Sequence, residues 1–343
     1  MIRSGGESAA TDLIGILIGA VGALCIWIGG QNLADPGGSV GWVQNPEGVL
    51  LWYSAEGDWV SIFDQVLDEE VADNDQLVGE RVVVLVHGLD EPGGVWDDVA
   101  PALDGAGYRV ARFDYPNDQA VVMSASGLHE AAGGLGQFDV ERVDFVVHSM
   151  GGLVTREALT NPELGASTGK LGAVEVGRLI MVGTPNEGSG WARLRGVADT
   201  RERVQRWLSS EDMDMEILAN LRQDGDGQAG IDLLPGSAFL TALNARPMPS
   251  GVAVTCIVGR VVDPDQTLMG GAVDDAARSF GDGVVSVESA ILDGCEDVVM
   301  LVANHRSMIR RIELGQGWRA MVGGDESPDP EGIAIILDRL GRD

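Results

Sequence analysis

Ser149 stands where an apolar, β-branched run ends and a pair of glycines, Gly151 and Gly152, opens a new segment. Residues 143–147 read as a buried parallel strand, and residues 153–159 have the composition of a helix. The serine therefore occupies a strand-to-helix turn. A serine on such a turn is held in a strained backbone conformation with its hydroxyl lifted above the sheet, a position suited to a nucleophile. Strand and helix nearly touch there, which the small residues at 151 and 152 permit. The competing reading is a serine that only caps the helix beginning at Met150. The pattern departs from the usual G-x-S-x-G at one place: Val147 stands two residues before the serine, where glycine or alanine is more common.

A serine hydroxyl needs a base to take its proton, and histidine is the usual one near neutral pH. Only four histidines are available. His87 ends an early strand, His148 adjoins Ser149, and His129 falls in a helix. His129-Glu130 has no second histidine four positions later, so a metalloprotease helix fails. His305, in Ala303-Asn304-His305-Arg306, follows the last strand directly and falls at the same sheet edge as Ser149. It is the candidate base. A carboxylate must orient that imidazole. Asp282 is preferred because Gly281 and Gly283 allow a tight turn ahead of Val284. Asp263 and Asp265 follow the preceding strand more closely and remain rivals, with Asp293 and Glu288 below them. For an oxyanion, the backbone N–H groups of Met150, on a helix N-terminus, and of Leu89, after His87-Gly88, are the natural donors.

These residues sit on an alternation of strands and helices. Apolar strand-like runs fall at 81–86, 109–113, 142–147, 178–182, 253–258 and 297–302. Helical patterns fall at 95–103, 119–132, 151–160, 237–244, 305–314 and 331–340. Such alternation specifies an α/β fold with a mostly parallel sheet flanked by helices, which binds ligands at the carboxyl ends of its strands. Between Val182 and Ala253 the rhythm breaks. Trp191, Leu194, Trp207, Leu208, Ile217 and Leu221 give that stretch apolar faces. It reads either as ordinary surface helices or as a helical cap or lid, about residues 187–235, with Trp191, Trp207 and Leu208 against the substrate. Residues 42–71 read as a short hairpin and a helix, with Trp59, Ile62, Phe63, Val66 and Leu67 at helical spacing.

With 343 residues and 45% hydrophobic content, the chain can bury a large core. Its net charge of −30 makes nucleic acid and anionic membrane surfaces poor partners. Lys170 is the single lysine, which leaves almost no room for Schiff-base or Ser-Lys chemistry. Residues 13–34 carry no charge, and most of that stretch is apolar enough to span a bilayer as a helix. This predicts a signal anchor, or else a cleaved signal peptide, at 1–35. A linker and extension follow at 36–80, and the main domain occupies 81–343. The expected location is the cell envelope, membrane-anchored through that helix with the main domain outside the cytoplasm, or secreted after cleavage. Three cysteines give no disulfide framework, and Cys256 and Cys295 read as offset along neighbouring strands, which argues against a bond. No Cys/His spacing resembles a zinc site. Gly165 to Leu171 imitates a phosphate loop but is one residue short and lacks the hydroxyl after the lysine.

Several phrases occur together in order: Val-His-Gly-Leu at 86–89, His-Ser-Met-Gly-Gly at 148–152, and Gly-Thr-Pro-Asn-Glu-Gly-Ser at 183–189. Asp-Leu-Leu-Pro-Gly-Ser at 232–237, Asp-Gly-Val-Val at 282–285 and Asn-His at 304–305 complete the set. In these the chain resembles the α/β-hydrolase superfamily, particularly bacterial lipases and lipase-like deacylases similar to the GPI inositol-deacylase. The resemblance implies an α/β-hydrolase fold and a serine esterase or lipase acting on an ester or lipid substrate. It makes Ser149 the nucleophile, His305 the base and Asp282 the acid, with Leu89 and Met150 lining the oxyanion hole. No cofactor is implied, although some similar lipases hold a structural calcium ion, which the abundance of carboxylates here leaves unplaced. An acyltransferase or amidase would use the same residues. A non-catalytic lipid-binding or scaffolding protein would keep the fold without needing them.

Overall fold

A run such as Arg-Val-Val-Val-Leu-Val at 81–86 is apolar on both faces, and only a sheet covered on each side can bury it. The computed structural model describes residues 48–54, 57–61, 81–89, 93–116, 118–165, 169–189, 227–261, 280–311 and 329–342, all within the compact unit Trp42–Asp343. In chain order the strands are β1 (Val49–Tyr53), β2 (Trp59–Ser61), β3 (Arg81–Val86), β4 (Arg109–Asp114), β5 (Arg142–His148), β6 (Lys170–Leu171), β7 (Val174–Val182), β8 (Ala253–Arg260) and β9 (Asp297–Val302). The helices are α1 (Val99–Gly105), α2 (Val121–Gly134), α3 (Met150–Thr160), α4 (Gln228–Asp232), α5 (Ala238–Asn244), α6 (Val287–Ala290) and α7 (Glu331–Leu340).

The described strands form one sheet in the order β2-β1-β4-β3-β5-β7-β8-β9, with β6 attached to β7. From β4 to β9 the neighbours run parallel, while β1 and β2 add an antiparallel edge. Alternate residues of the central strands feed two cores. Val82, Val84, Val86, Phe145 and Val147 pack with α2 and α3. Val83, Leu85, Val146, Ile180 and Ile257 pack with α1 and α7 on the other face. From β3 the chain passes first to β4 on one side and then to β5 on the other. The strand order reverses between β3 and β5, which opens a crevice at their carboxyl ends. Residues 87–89 and Ser149 lie there.

Three expectations need correction. Trp59 does not lie on a helix: it pairs with Tyr53 in the β1–β2 hairpin, and the rest of that pattern lies outside the described residues. The segment 95–103 is a 3₁₀ turn, Gly94–Trp96, followed by α1. Pro101 explains the break, because a proline within a continuous helix would clash with the carbonyl four residues back but is tolerated in the first turn of a new one. Residues 305–310 form turns, since Asn304 Oδ1 accepts from the backbone N–H groups of Arg306 and Ser307 and His305 N donates to Asp282 O. Cys256 and Cys295 are both free, with Cys295 Sγ against Val254 O and Asp297 O.

The segments expected to form an N-terminal anchor or signal and the middle of a lid lie outside the described residues. Among the described residues no helix is long and apolar enough to cross a membrane.

Candidate active site

Ser149 adopts φ 52° and ψ −127°, one of two described non-glycine residues with positive φ. That conformation costs on the order of 1–3 kcal/mol and persists only where the surroundings enforce it. Here they do. Ser149 N donates to Val182 O at 2.9 Å, and Gly152 N donates to Ser149 O at 3.1 Å. Ser149 stands at the N-cap of α3, but its hydroxyl makes no capping bond to the helix. The turn is tight because a Cβ at Gly151 would sit 2.3 Å from Val86 O and 2.6 Å from His87 O. At Gly152 it would sit 2.1 Å from Thr184 Oγ1. Val147, the departure from the usual motif, is simply core: its side chain is fully buried and the turn forms beyond it.

Asp282 and His305 meet. His305 Nδ1 donates to Asp282 Oδ2 at 2.7 Å, and the pair is nearly buried, at 7% and 1% exposure respectively. The other carboxylate oxygen, Oδ1, accepts from Val284 N at 2.9 Å and Val285 N at 2.8 Å. With three donors converging on it, Asp282 is fixed in orientation. The proton on Nδ1 leaves Nε2 as the acceptor nitrogen of the neutral ring. Glu288 and Asp293 are solvent-exposed and take no part, while Asp263 and Asp265 lie outside the described residues.

Two contacts tie this pair to the serine's strand. Val182 O holds Ser149 N, and the next residue, Gly183, faces the pair: a Cβ there would lie 3.0 Å from both Asp282 Oδ2 and His305 Nδ1. His148, immediately before Ser149, donates from Nε2 to His305 O at 2.9 Å, with the two imidazole centroids 4.6 Å apart. The end of β7 and the last residue of β5 thus bridge the serine to the aspartate–histidine pair.

Leu89 and Met150 flank the same crevice, Leu89 half-buried after β3 and Met150 buried as the first residue of α3. The turn that leads to Leu89 is fixed by Tyr115, whose hydroxyl donates to His87 O at 2.7 Å and whose ring stacks on His87. His129, in α2, donates from Nδ1 to Ala158 O and joins two helices away from the crevice. Trp191, Trp207 and Leu208 lie outside the described residues. Among the described residues no group of three or more His, Cys, Asp or Glu side chains could hold a metal ion.

One buried cluster escaped the sequence reading. Arg156, on α3, is only 2% exposed and donates to Asn186 Oδ1 at 3.0 Å and Asn244 Oδ1 at 2.9 Å. Asn244 Nδ2 reaches Glu187 Oε1 and Asn186 O, and Asn186 N donates to Ser289 O. Ser189 Oγ continues the chain to Val284 O, beside the two amides that hold Asp282. Burial pulls the guanidinium down to about 10, against the attraction of Glu187. The network clamps residues 184–189 between α3, α5 and α6. The charged pair Arg156-Glu157 in a helix otherwise rich in apolar residues, among Leu153, Val154, Ala158 and Leu159, was the available signal.

The profile of a family described as "Alpha/beta hydrolase family" matches residues 83–313, more than half of the chain. Among curated proteins none matches. Among solved structures, the mature form of the Bacillus licheniformis lipase BlEst2 is similar at 22% identity, with a TM-score of 0.47, covering 66% of this chain and 84% of that one. Phospholipase PlaB from Legionella pneumophila is similar at 16% identity and a TM-score of 0.46. That match covers 76% of this chain and 60% of PlaB, less than two thirds of its length. Lipase B from Aspergillus fumigatus follows at 18% identity and a TM-score of 0.39, covering 76% and 56%.

Proposed function

The chain belongs to the alpha/beta hydrolase family, and on that premise we propose that it is a serine hydrolase cleaving carboxylic esters through an acyl-enzyme on Ser149. The observation that carries the reading is the buried Asp282–His305 hydrogen bond at 2.7 Å, held beside a serine whose strained turn leaves its hydroxyl uncommitted to the helix. In the proposed reaction Ser149 Oγ attacks the ester carbonyl carbon while His305 Nε2 takes its proton. The oxyanion is received by the N–H groups of Leu89 and Met150, at the positive end of α3. Collapse expels the alcohol, which takes the proton from His305. A water activated by the same nitrogen then releases the acid and restores the serine. Asp282 fixes the ring tautomer and stabilises the imidazolium. A net charge of −30 disfavours polyanionic substrates and leaves neutral esters, including those of lipids, as the class that fits.

A fluorophosphonate probe tests this directly. The wild-type chain is expected to label at Ser149 and to hydrolyse p-nitrophenyl esters, and Ser149→Ala to lose both. Labelling or hydrolysis that survives the substitution refutes the assignment, and a series of acyl lengths then defines the substrate.

A further inference from the structure

The end of β7 and the loop after it reach each part of the proposed catalytic group, and the loop ends on a buried hydroxyl that the reaction itself does not use. Val182 O receives Ser149 N, and Gly183 faces the Asp282–His305 pair. At the far end of the loop Ser189 is 6% exposed, and its Oγ donates to Val284 O at 2.6 Å. That carbonyl belongs to the Val284–Val285 peptide, whose N–H donates to Asp282 Oδ1 at 2.8 Å. Ser189 and Asp282 therefore grip opposite ends of one amide.

We propose that, with Ser149 as the nucleophile of the reading above, Ser189 is a positioning residue for Asp282 that acts through the Val284–Val285 peptide, and that Arg156 is the buried anchor holding Ser189 in place. The trans plane of that peptide points its C=O and N–H in opposite directions, so the two turn together. Fixing the oxygen from Ser189 thus aims the hydrogen at Asp282 Oδ1. Donation to the carbonyl also polarises the amide and strengthens its N–H as a donor. Without the hydroxyl the peptide can tilt, and the carboxylate loses the orientation that directs Oδ2 at His305 Nδ1.

Ser189 is itself held by the peptide that precedes it. Its N–H donates to Leu233 O at 3.0 Å, while Gly188 O, on the other side of the same amide, accepts from Ser289 Oγ at 2.6 Å. Ser289 Oγ also accepts from Glu187 N at 3.1 Å, and Ser289 O accepts from Asn186 N at 2.8 Å. Asn186 Oδ1 in turn accepts from Arg156. Arg156 lies two turns along the helix that follows Ser149, roughly 10 Å from it, too far to touch the reacting atoms. A route of gripped amides thereby ties the helix behind the nucleophile to the turn that carries the acid.

The test measures p-nitrophenyl ester hydrolysis by the full chain across pH, with rates normalised to sites titrated by the fluorophosphonate. Ser189→Ala should lower kcat by about 10-fold with KM unchanged, and Ser189→Thr, which keeps the hydroxyl, should restore most of the rate. Among the described residues Asp282 and, from β5, His148 are titratable groups in contact with His305, and the substitution loosens the first. A loosened carboxylate stabilises the imidazolium less, so the acid limb of kcat/KM should move to lower pH by roughly half a unit. Arg156→Lys keeps the charge but cannot bridge Asn186 and Asn244, and should move the limb in the same direction. In an Asp282→Asn background Ser189→Ala should leave the rate of fluorophosphonate labelling unchanged, because the route ends at the lost carboxylate. A lowered Tm with an unmoved acid limb, or an equal loss of labelling rate in both backgrounds, would overturn the proposal. Labelling that survives Ser149→Ala would instead remove the reading beneath it, so the two failures are told apart.

Discussion

Replacing Gly151 by alanine tests whether the turn geometry, and not only the chemistry of the side chains, sets activity. The added Cβ would lie 2.3 Å from Val86 O, whereas real Cβ contacts are essentially never under 3.0 Å. The opposing atoms are backbone, at the end of β3 and at His87, and no side chain can rotate away. The start of α3 must therefore move off β3 by roughly 0.7 Å, carrying Ser149 and Met150 away from Leu89. A misplacement of about 1 Å in a catalytic geometry costs about 10²-fold, so kcat for a short-chain p-nitrophenyl ester should fall by about 10- to 10²-fold. Overpacking of this kind costs about 1–3 kcal/mol, which should lower Tm by a few degrees. Rates must be normalised to sites titrated with the fluorophosphonate, so that lost folding is not counted as lost catalysis. Gly105→Ala is the control: nothing lies within 4 Å of its Cβ, and it should leave kcat unchanged with Tm equal or slightly higher. Wild-type kcat and wild-type Tm in Gly151→Ala would refute the reasoning.

Two further outcomes follow from the pairings described. Asp282→Asn preserves shape but removes the acceptor that holds the proton on His305 Nδ1, and should lower kcat by about 10⁴-fold; Asp263→Asn should not, and the reverse result would move the acid to 263. Arg339 binds Asp297 through two nitrogens, at 2.6 and 2.9 Å, and its hydrogen bonds hold that carboxyl below its ordinary range. A depressed carboxyl stabilises the fold above its unfolded value and loses that contribution as pH falls through the folded one. Urea melts should therefore find Arg339→Met destabilised at pH 7, by about 1 kcal/mol for a half-buried pair at the protein surface, with the gap closing in acid. A gap that stays constant or widens with acid would contradict the sign.

Much of the architecture could be read from local pattern. The β-branched runs at 81–86, 142–147 and 253–258 have enough apolar side chains on both faces to specify interior parallel strands, and these three lie within a residue or two of their expected bounds, whereas β7 begins four residues before the expected Arg178. The Gly151-Gly152 pair marked the close approach of helix and strand because backbone contact leaves no other residue type that fits. The pairing of Asp282 with His305 was approachable from the glycines that flank Asp282 and from the place of His305 directly after β9, while position after β8 alone favoured Asp263 and Asp265. What was not legible depended on distant contacts. The clamp around Arg156 joins residues from α3, the 184–189 loop, α5 and α6, and no spacing encodes it. Local periodicity also misled: Trp59 fits a helical stripe, but pairing with Tyr53 wins.

Among the described strands β9 forms one of the two edges, and it leads straight into His305, whose backbone N–H is in turn bonded to Asp282 O. Imidazole and carboxylate are thus moored to the rim of the sheet, where local opening is easiest, while Ser149 rests on an interior strand. Fraying of that rim would carry both partners off in one event and strand the hydroxyl without them. Thermal inactivation should then be abrupt and precede loss of the helical signal, a fuse placed at the margin of an otherwise sturdy scaffold.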